Sequence, residues 1–569
     1  MARKITGSEA LVEALRVENV EVMFGIVGSA FMDPLDIFLK AGIRFIQVRH
    51  EQTAAFMADG YGRASGKPGV CIGQNGPGVT NLVTGVASAF VNHTPAVVLT
   101  PTVTSTTMGT HAFQEIEQIY LFDKLMKYQT RVNRPDRMAE GVRGAFRAAI
   151  SMRGPAQVDI PRDYYYGEFE EDEWLPENYR TDGRFGGAAQ SEIEKAAKIL
   201  EGAKNPVFLA GLGAVDSNAG DLIAELADRY TAPVACVFNH NDAFYGNHPM
   251  YVGPIGYQGS KAAMRLIKDA DVVLALGTRL NKFGTVPQYD MDYFPENAKL
   301  IHNTINPLEI GVSRPVALGL IGDCAEVVQQ LLTATEGGGK NVDHAGRKLR
   351  INEEKETWAL ELKEMSSQEG GPSHPRRALW EVSQAIPDDA TVVADVGNIS
   401  GSANAYFTFN SHRQWIAAGS LGGIGVAYPT ALGVKLAQPE KPVFAFMGDG
   451  AWGMTMQEVM TAVTEKINVI AILFDNSQYG AEKRNQYDFF DERYFWTDLD
   501  NPDFAQIARD MGAHAVRVET PEEIGPAIAE ALTIDGPSVI NIVTTRDLSE
   551  PYRKDALLKP KRLLPMYQN

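Results

Sequence analysis

Two apolar runs late in the chain each end in a side chain that can give oxygen to a metal. The first, VFAFMGDG (Val443–Gly450), sets Asp449 between two glycines. The second, VIAILFDN, closes on Asn476. Read as strands of a parallel sheet, both side chains stand at carboxyl ends, where α/β folds bind their ligands. The intervening MTMQEVMTAVTEK has the length of a right-handed crossover helix, so the two strands are expected as neighbours. A carboxylate and an amide at such a place suit Mg²⁺, which takes one or two protein oxygens and fills its octahedron with phosphate and water. Gly448 and Gly450 let the backbone approach a phosphate, and the helix that follows aims its N–H groups at the same anion. Taken alone, these residues read equally well as a glycine-bounded turn with Asp449 capping a helix.

The rest of the chain must hold those strand ends in place. With 569 residues, it is too long for one core and is expected to form three or four units. Its net charge of -18 argues against a general nucleic-acid binder, which needs a Lys/Arg surplus. The cysteines Cys71, Cys236 and Cys324 sit in apolar contexts without CxxC spacing and read as buried thiols. No apolar run reaches the ~20 residues of a membrane span. MARKITGSEALVEAL spreads its charges too widely for a signal peptide, so a cytoplasmic protein without membrane contact is expected.

Thr6 and Glu9 have capping-box spacing ahead of a helix. Strands are read at EVMFGIVG, RFIQVRHE, PGVCIGQNGPG and PAVVLTPT, with QTAAFMADGYGRASG and VTNLVTGVASAFVN as helices. The acidic, Tyr- and Pro-rich Gly154–Arg180 reads as a surface linker. The same rhythm returns in PVFLAGLGA, PVACVF, DVVLALG and KLIHNTIN, and TEGGGKNVD reads as a second linker. GLGAVDS there is a weak dinucleotide signal, because the third glycine is absent; a loop needing two glycines is the better reading. TVVADVGN, PVFAFMGDG, NVIAILFDN and SVINIVTT then give parallel strands again. The first and last thirds read as two similar α/β domains flanking a third.

A GDG about 25–30 residues before an asparagine that ends a strand resembles the signature of thiamine-diphosphate enzymes. RHEQTAAFMADGYGRASGKPGV and GQNGPGVTNLVTGVASAF resemble the first-domain segments of the acetohydroxyacid-synthase type. The resemblance implies an α/β fold of three doubly wound parallel-sheet domains: 1–185 binding the aminopyrimidine, 190–340 a Rossmann-like middle domain, and 371–569 binding the diphosphate and ending in a C-terminal tail. It implies thiamine diphosphate and Mg²⁺ held between chains of a homodimer or homotetramer. Glu51 is then the catalytic glutamate at the pyrimidine, shuffling a proton from a desolvated pocket. GSLGGIGVAYPTALGVK resembles the stretch that bends the cofactor, which makes Ile424 its apolar wedge. Gly397 and Asn398 of DVGN, with Gly448, Asp449, Gly450 and Asn476, are the implied cofactor contacts. Asp449, Asn476 and the carbonyl of Gln478 are the implied metal ligands. The family often carries two asparagines where this chain has Asp475–Asn476.

Within that type, GIVGSAFMDPLDIF, NHTP, AFQEIEQ, HND, GPIGYQGSKAAM, YGAEKRNQYDFF and RKDALLKPKRLL, among others, resemble the sulfoacetaldehyde acetyltransferase family. Its members convert this aldehyde and inorganic phosphate into acetyl phosphate and sulfite. TPTVTSTTMGTHAF and AAGSLGGIG depart from that pattern, the second toward acetohydroxyacid synthases. A 2-oxo-acid decarboxylase or acetolactate-type carboligase is the alternative. A catalytically silent subunit is disfavoured by the retained Glu51, Asp449 and Asn476. Two substrate anions need holding, and Lys483 and Arg484 are candidates as cationic oxyanion binders. Gly28 and Ser29 are expected opposite the thiazolium, and Phe113 and Gln114 in the pocket. His93 and His111 are candidate proton relays.

Overall fold

The computed structural model describes residues 3–181, 185–548 and 557–567. Part of RKDALLKPKRLL, residues 553–556, lies outside them. Among the described residues no helix is long and apolar enough to cross a membrane.

Strands and helices alternate in three runs, and each run builds one six-stranded sheet whose paired strands are parallel. The first sheet has the order Arg44–Gln47, Val22–Gly25, Gly69–Ile72, Ala96–Thr102, Pro155–Pro161, Tyr128–Arg131. The last has the order Trp415–Ala417, Thr391–Ala394, Val443–Gly448, Val469–Asp475, Ser538–Val543, His514–Val518. Counted along the chain within each sheet, both orders are 2-1-3-4-6-5, so the outer domains share one topology, as their matching rhythm led us to expect. The middle sheet runs Tyr251–Pro254, Val234–Cys236, Pro206–Ala210, Val272–Leu276, Lys299–Thr304, Leu318–Ile321. That is 3-2-1-4-5-6, the dinucleotide-fold order.

The surface linker read at Gly154–Arg180 is corrected by the structure. Pro155–Pro161 is a fully buried strand between two others of the first sheet, and Glu168–Glu171 pairs antiparallel with Arg3–Thr6. The prolines bracket an apolar PAQVDIP that needs cover on both faces, a signal that the surrounding Tyr and acidic residues hid. Beyond Thr335–Asp343 comes an unforeseen helix, His344–Glu364. It is charged nearly all round and is tied to Lys261–Lys268 by Arg265 with Glu354 and Glu361 and by Lys261 with Glu361.

The Thr6–Glu9 capping box forms as expected. The outer domains meet along the helices Glu51–Ser65 and Ala427–Ala437, which touch backbone to backbone. A Cβ on Gly60 would stand 2.2 Å from the Thr430 carbonyl oxygen, and one on Gly433 2.0 Å from that of Met57. Arg44 with Glu465 and the Arg63 guanidinium on the Ala417 carbonyl add polar ties.

Candidate active site

The strands Val443–Gly448 and Val469–Asp475 are neighbours in parallel register, Gly448 opposite Phe474. Both sequence-predicted oxygen donors therefore reach the same edge. A Cβ at 450 would press within 2.4 Å of the Tyr479 ring, so a larger residue there would have to displace that ring. Asp449 is buried, and its Oδ2 accepts from the Gln478 N–H at 3.2 Å and from Asn501 Nδ2 at 2.6 Å. Asn501 also donates to Asp475 Oδ1 at 3.0 Å. Burial raises the Asp449 pKa to about 6; the Asn501 bond opposes this and the Asp475 charge adds to it. The Asn501 amide thus bridges the two carboxylates at these strand ends.

Asn398, Asn476 and Gln478 converge on Gly480, at 3.4, 3.5 and 3.9 Å from where its Cβ would be. Tyr257 of the middle domain donates its hydroxyl to Asn398 Oδ1 at 3.0 Å. Among the described residues there is no group of three His, Cys, Asp or Glu side chains poised for a metal. The expected set is one carboxylate, one amide and one carbonyl, hard oxygens of the kind Mg²⁺ prefers. Beside Gly397, Gly422, Gly423 and Gly448 a Cβ would meet nothing within 4 Å, so the space next to these glycines is open. Gly397 also has φ 120°, which only glycine adopts readily.

Asp395, which sequence reasoning passed over, sets the neighbouring loop. Its carboxylate accepts from the Val396, Gly425 and Ala427 N–H groups at 2.8, 3.0 and 2.7 Å, fixing the backbone immediately after Ile424 to the loop that follows Thr391–Ala394. Burial pushes its pKa up to about 6. Ile424 is half-buried against the shared core of the outer domains.

Glu51 opens its helix and is buried. Asn81 Nδ2 donates to Glu51 Oε2 at 2.9 Å, and Gly78 leaves space for the other oxygen, which would lie 2.9 Å from a Cβ there. Among the described residues, no hydrogen bond or ion pair joins the Glu51 carboxylate to the diphosphate half. Glu458, fully buried, links the halves instead. It accepts from the Arg49 N–H, from Thr53 Oγ1 at 3.0 Å and from Thr461 Oγ1 at 2.7 Å. The last domain thus holds the entry to the helix that carries Glu51, whose N-cap is His50. A 3-10 turn at Met456–Glu458, inside the expected crossover helix, aims this side chain.

Gly28, Ser29 and Gln114 gather beside Gln74, a residue the sequence reading missed; Phe113 is exposed. Lys483 lies 2.7 Å from Asp498 and over the Tyr494 ring, and Arg484 is bidentate on Asp488 of its own helix. Both expected oxyanion binders are thus already engaged by carboxylates. Arg546, unforeseen, shares Asp498 with Lys483 and donates to Gln478 Oε1 at 3.3 Å. His111 is exposed near Gln114. His93 is away from this group. It lines a cavity of about 680 Å³ beyond the carboxyl ends of the middle-sheet strands and lies 3.5 Å from Glu309. Burial, with Arg279, Lys127 and Arg153 nearby, lowers its pKa to about 3, which removes it as a neutral-pH relay. GLGAVDS lines the same cavity. Its glycines are demanded by packing, because a Cβ on Gly211 or Gly213 would meet Thr278 at 2.8 Å or Gly277 at 2.6 Å.

Three family models match the chain in order. They are described as thiamine pyrophosphate enzyme N-terminal TPP binding domain at residues 5–121, central domain at 193–331, and C-terminal TPP binding domain at 395–542. The chain belongs to the thiamine pyrophosphate, or thiamine diphosphate, enzyme family. Within it, the chain is 44% identical to the sulfoacetaldehyde acetyltransferase of Castellaniella defragrans, across 100% of this chain and 98% of that one. It is 40% identical to the protein of that name from Roseovarius nubinhibens, across 98% and 95%. Identity to a probable acetolactate synthase large subunit of Methanocaldococcus jannaschii is 32%, across 98% and 93%.

Proposed function

We propose that this chain converts sulfoacetaldehyde and phosphate into acetyl phosphate and sulfite, in the cytoplasm, as a homodimer or homotetramer with each active site between chains. The carbon–sulfur bond breaks and sulfite leaves with its electron pair. The methylene carbon becomes a methyl, and the aldehyde carbon, oxidised to the acyl level, forms its new bond to a phosphate oxygen. Thiamine diphosphate, when bound, supplies the electron sink. Asp449, Asn476 and the Gln478 carbonyl hold Mg²⁺. Gly397, Asn398, Gly448 and Gly450 face the diphosphate, and Ile424 presses on the rings. Glu51, held by Asn81 and on a helix whose start is tied to Glu458, would hydrogen-bond the pyrimidine and could take or give a proton there. Gly28, Ser29, Phe113 and Gln114 line the substrate side, and Lys483 attracts phosphate in exchange for Asp498. Arg484 has the weaker case, with its fork filled. The units are taken as 1–185, 190–340 and 371–569.

The observation that carries this reading is the extent of the likeness. It runs through the middle domain and toward the C-terminus at 44% identity, against 32% for the acetolactate synthase. Purified protein with thiamine diphosphate, Mg²⁺, phosphate and sulfoacetaldehyde should release sulfite and form acetyl phosphate. Consumption of pyruvate to acetolactate or CO₂ without sulfite release would instead favour the carboligase or decarboxylase alternative.

A further inference from the structure

Gln74 stands in the loop between the strand Gly69–Ile72 and the helix Pro77–Asn81 and ties together three segments of the first domain. Its Oε1 accepts from the Ala30 N–H at 3.1 Å. Its Nε2 donates to Gln114 Oε1 at 3.0 Å and to Asn75 Oδ1 at 2.6 Å, with Ser29 Oγ at 3.4 Å. Asn75 Nδ2 in turn donates to the Gln114 carbonyl at 3.3 Å. Two glycines exist to admit this arrangement. A Cβ on Gly28 would stand 2.0 Å from Gln74 Oε1, and one on Gly76 2.6 Å from the Gln114 carbonyl. Gln114 itself has φ 63°, a left-handed conformation that is strained for a non-glycine residue and persists where its surroundings impose it. The cluster adjoins the catalytic glutamate, because a Cβ on Gly78 would be 2.9 Å from Glu51 Oε1 and 3.2 Å from Gln74 Cβ.

The cluster presents donors without charge. Ser29 is exposed and Gln114 half-buried, and among the described residues nothing takes the Gln114 amide nitrogen. Once Gln74 fixes Gln114 Oε1 as an acceptor, that amide nitrogen remains as a donor. The cations Lys483 and Arg546, which share Asp498, belong to the other half of the site. A dianion such as phosphate suits those cations, whereas a sulfonate, a monoanion with three weakly basic oxygens, suits neutral donors. We propose that Gln74 is a positioning residue that sets Ser29 and Gln114 to receive the sulfonate of the aldehyde. This rests on the acetyltransferase reading above.

The test is steady-state sulfite release by the holoenzyme, varying sulfoacetaldehyde at saturating phosphate and then the reverse, with thiamine diphosphate affinity followed by tryptophan fluorescence. Gln74→Ala should raise the aldehyde KM by about tenfold, the worth of one or two hydrogen bonds, while the phosphate KM and cofactor affinity hold. Gln74→Glu should be worse, since it keeps the acceptor for Ala30 but turns a negative oxygen toward Gln114 Oε1 and the sulfonate. If Gln74→Ala does not fold, Ser29→Ala and Gln114→Ala remove the donors themselves and should give the same selective rise. Equal increases in both KM values, or an aldehyde KM untouched by the Ser29 and Gln114 variants, would overturn the role of Gln74 while leaving the parent reading intact. A wild-type enzyme that releases no sulfite would overturn both.

Discussion

Replacing Gly433 with alanine probes the contact that sets both halves of the candidate site at once. Alanine in a helix interior is otherwise favoured over glycine by about 0.5–1 kcal/mol, so any loss must come from the neighbours. Here the new Cβ would lie 2.0 Å from the Met57 carbonyl oxygen and 2.7 and 2.8 Å from its C and Cα. All three are backbone atoms inside the helix Glu51–Ser65, so no side chain can swing aside. Reaching even a 3.0 Å contact requires the helices to part by about 1 Å. Overpacking of this kind costs about 1–3 kcal/mol. Function should suffer more than stability, because one helix begins at Glu51 and the other directly follows the Ile424 loop. A displacement of about 1 Å in a catalytic constellation costs roughly 100-fold in rate. The assay is kcat for sulfite release, with thermal melting in parallel. Gly525→Ala is the control, since that helical glycine would meet nothing within 4 Å. A Gly433→Ala enzyme with wild-type kcat and melting temperature would refute the claim that this contact positions the site.

Three further outcomes are expected. Asp449→Asn removes the one carboxylate of the proposed metal set and should abolish the Mg²⁺ response of sulfite release; an unchanged Mg²⁺ titration would dismiss that assignment. Asp395 has its folded pKa raised from 3.8 to about 6, so the unfolded chain ionises first as pH rises. Its contribution to stability should therefore be largest below pH 3.8 and be lost between pH 3.8 and about 6, by an amount on the order of 3 kcal/mol. Asp395→Asn should flatten the melting profile of the apoprotein over that window, and an identical slope would count against the shift. Lys483→Ala should raise the phosphate KM by about tenfold, the worth of one charge-assisted bond, and unchanged phosphate dependence would remove Lys483 from the site.

Alternation of short apolar runs with glycine-closed helices made the three sheets legible, because buried parallel strands leave a continuous apolar trace. Short or mixed strands such as Trp415–Ala417 and His514–Val518 left none, and they were missed. Asp449, Asn476 and Glu51 were legible because glycines and strand ends flag them locally. Gln74, Asp395, Asn501 and Glu458 were not, because each acts on residues remote in sequence: Gln74 reaches Ala30 and Gln114, and Glu458 reaches Arg49 and Thr53. Lys483 and Arg484 were read as candidate oxyanion binders; the i,i+4 spacing of Arg484 and Asp488 was there to be read, whereas sequence does not reveal that Asp498 folds onto Lys483.

The three cysteines acquire a meaning from the proposed product. Sulfite is a nucleophile that splits disulfides into a thiol and an S-sulfonate, so an extracellular-style bridge would be consumed by turnover itself. Cys71, Cys236 and Cys324 are unpaired and buried, and burial raises all three thiols, Cys71 to about 12. Held protonated, they resist the oxidation that would create such a bond. The framework of this protein offers its own reaction product nothing to cleave.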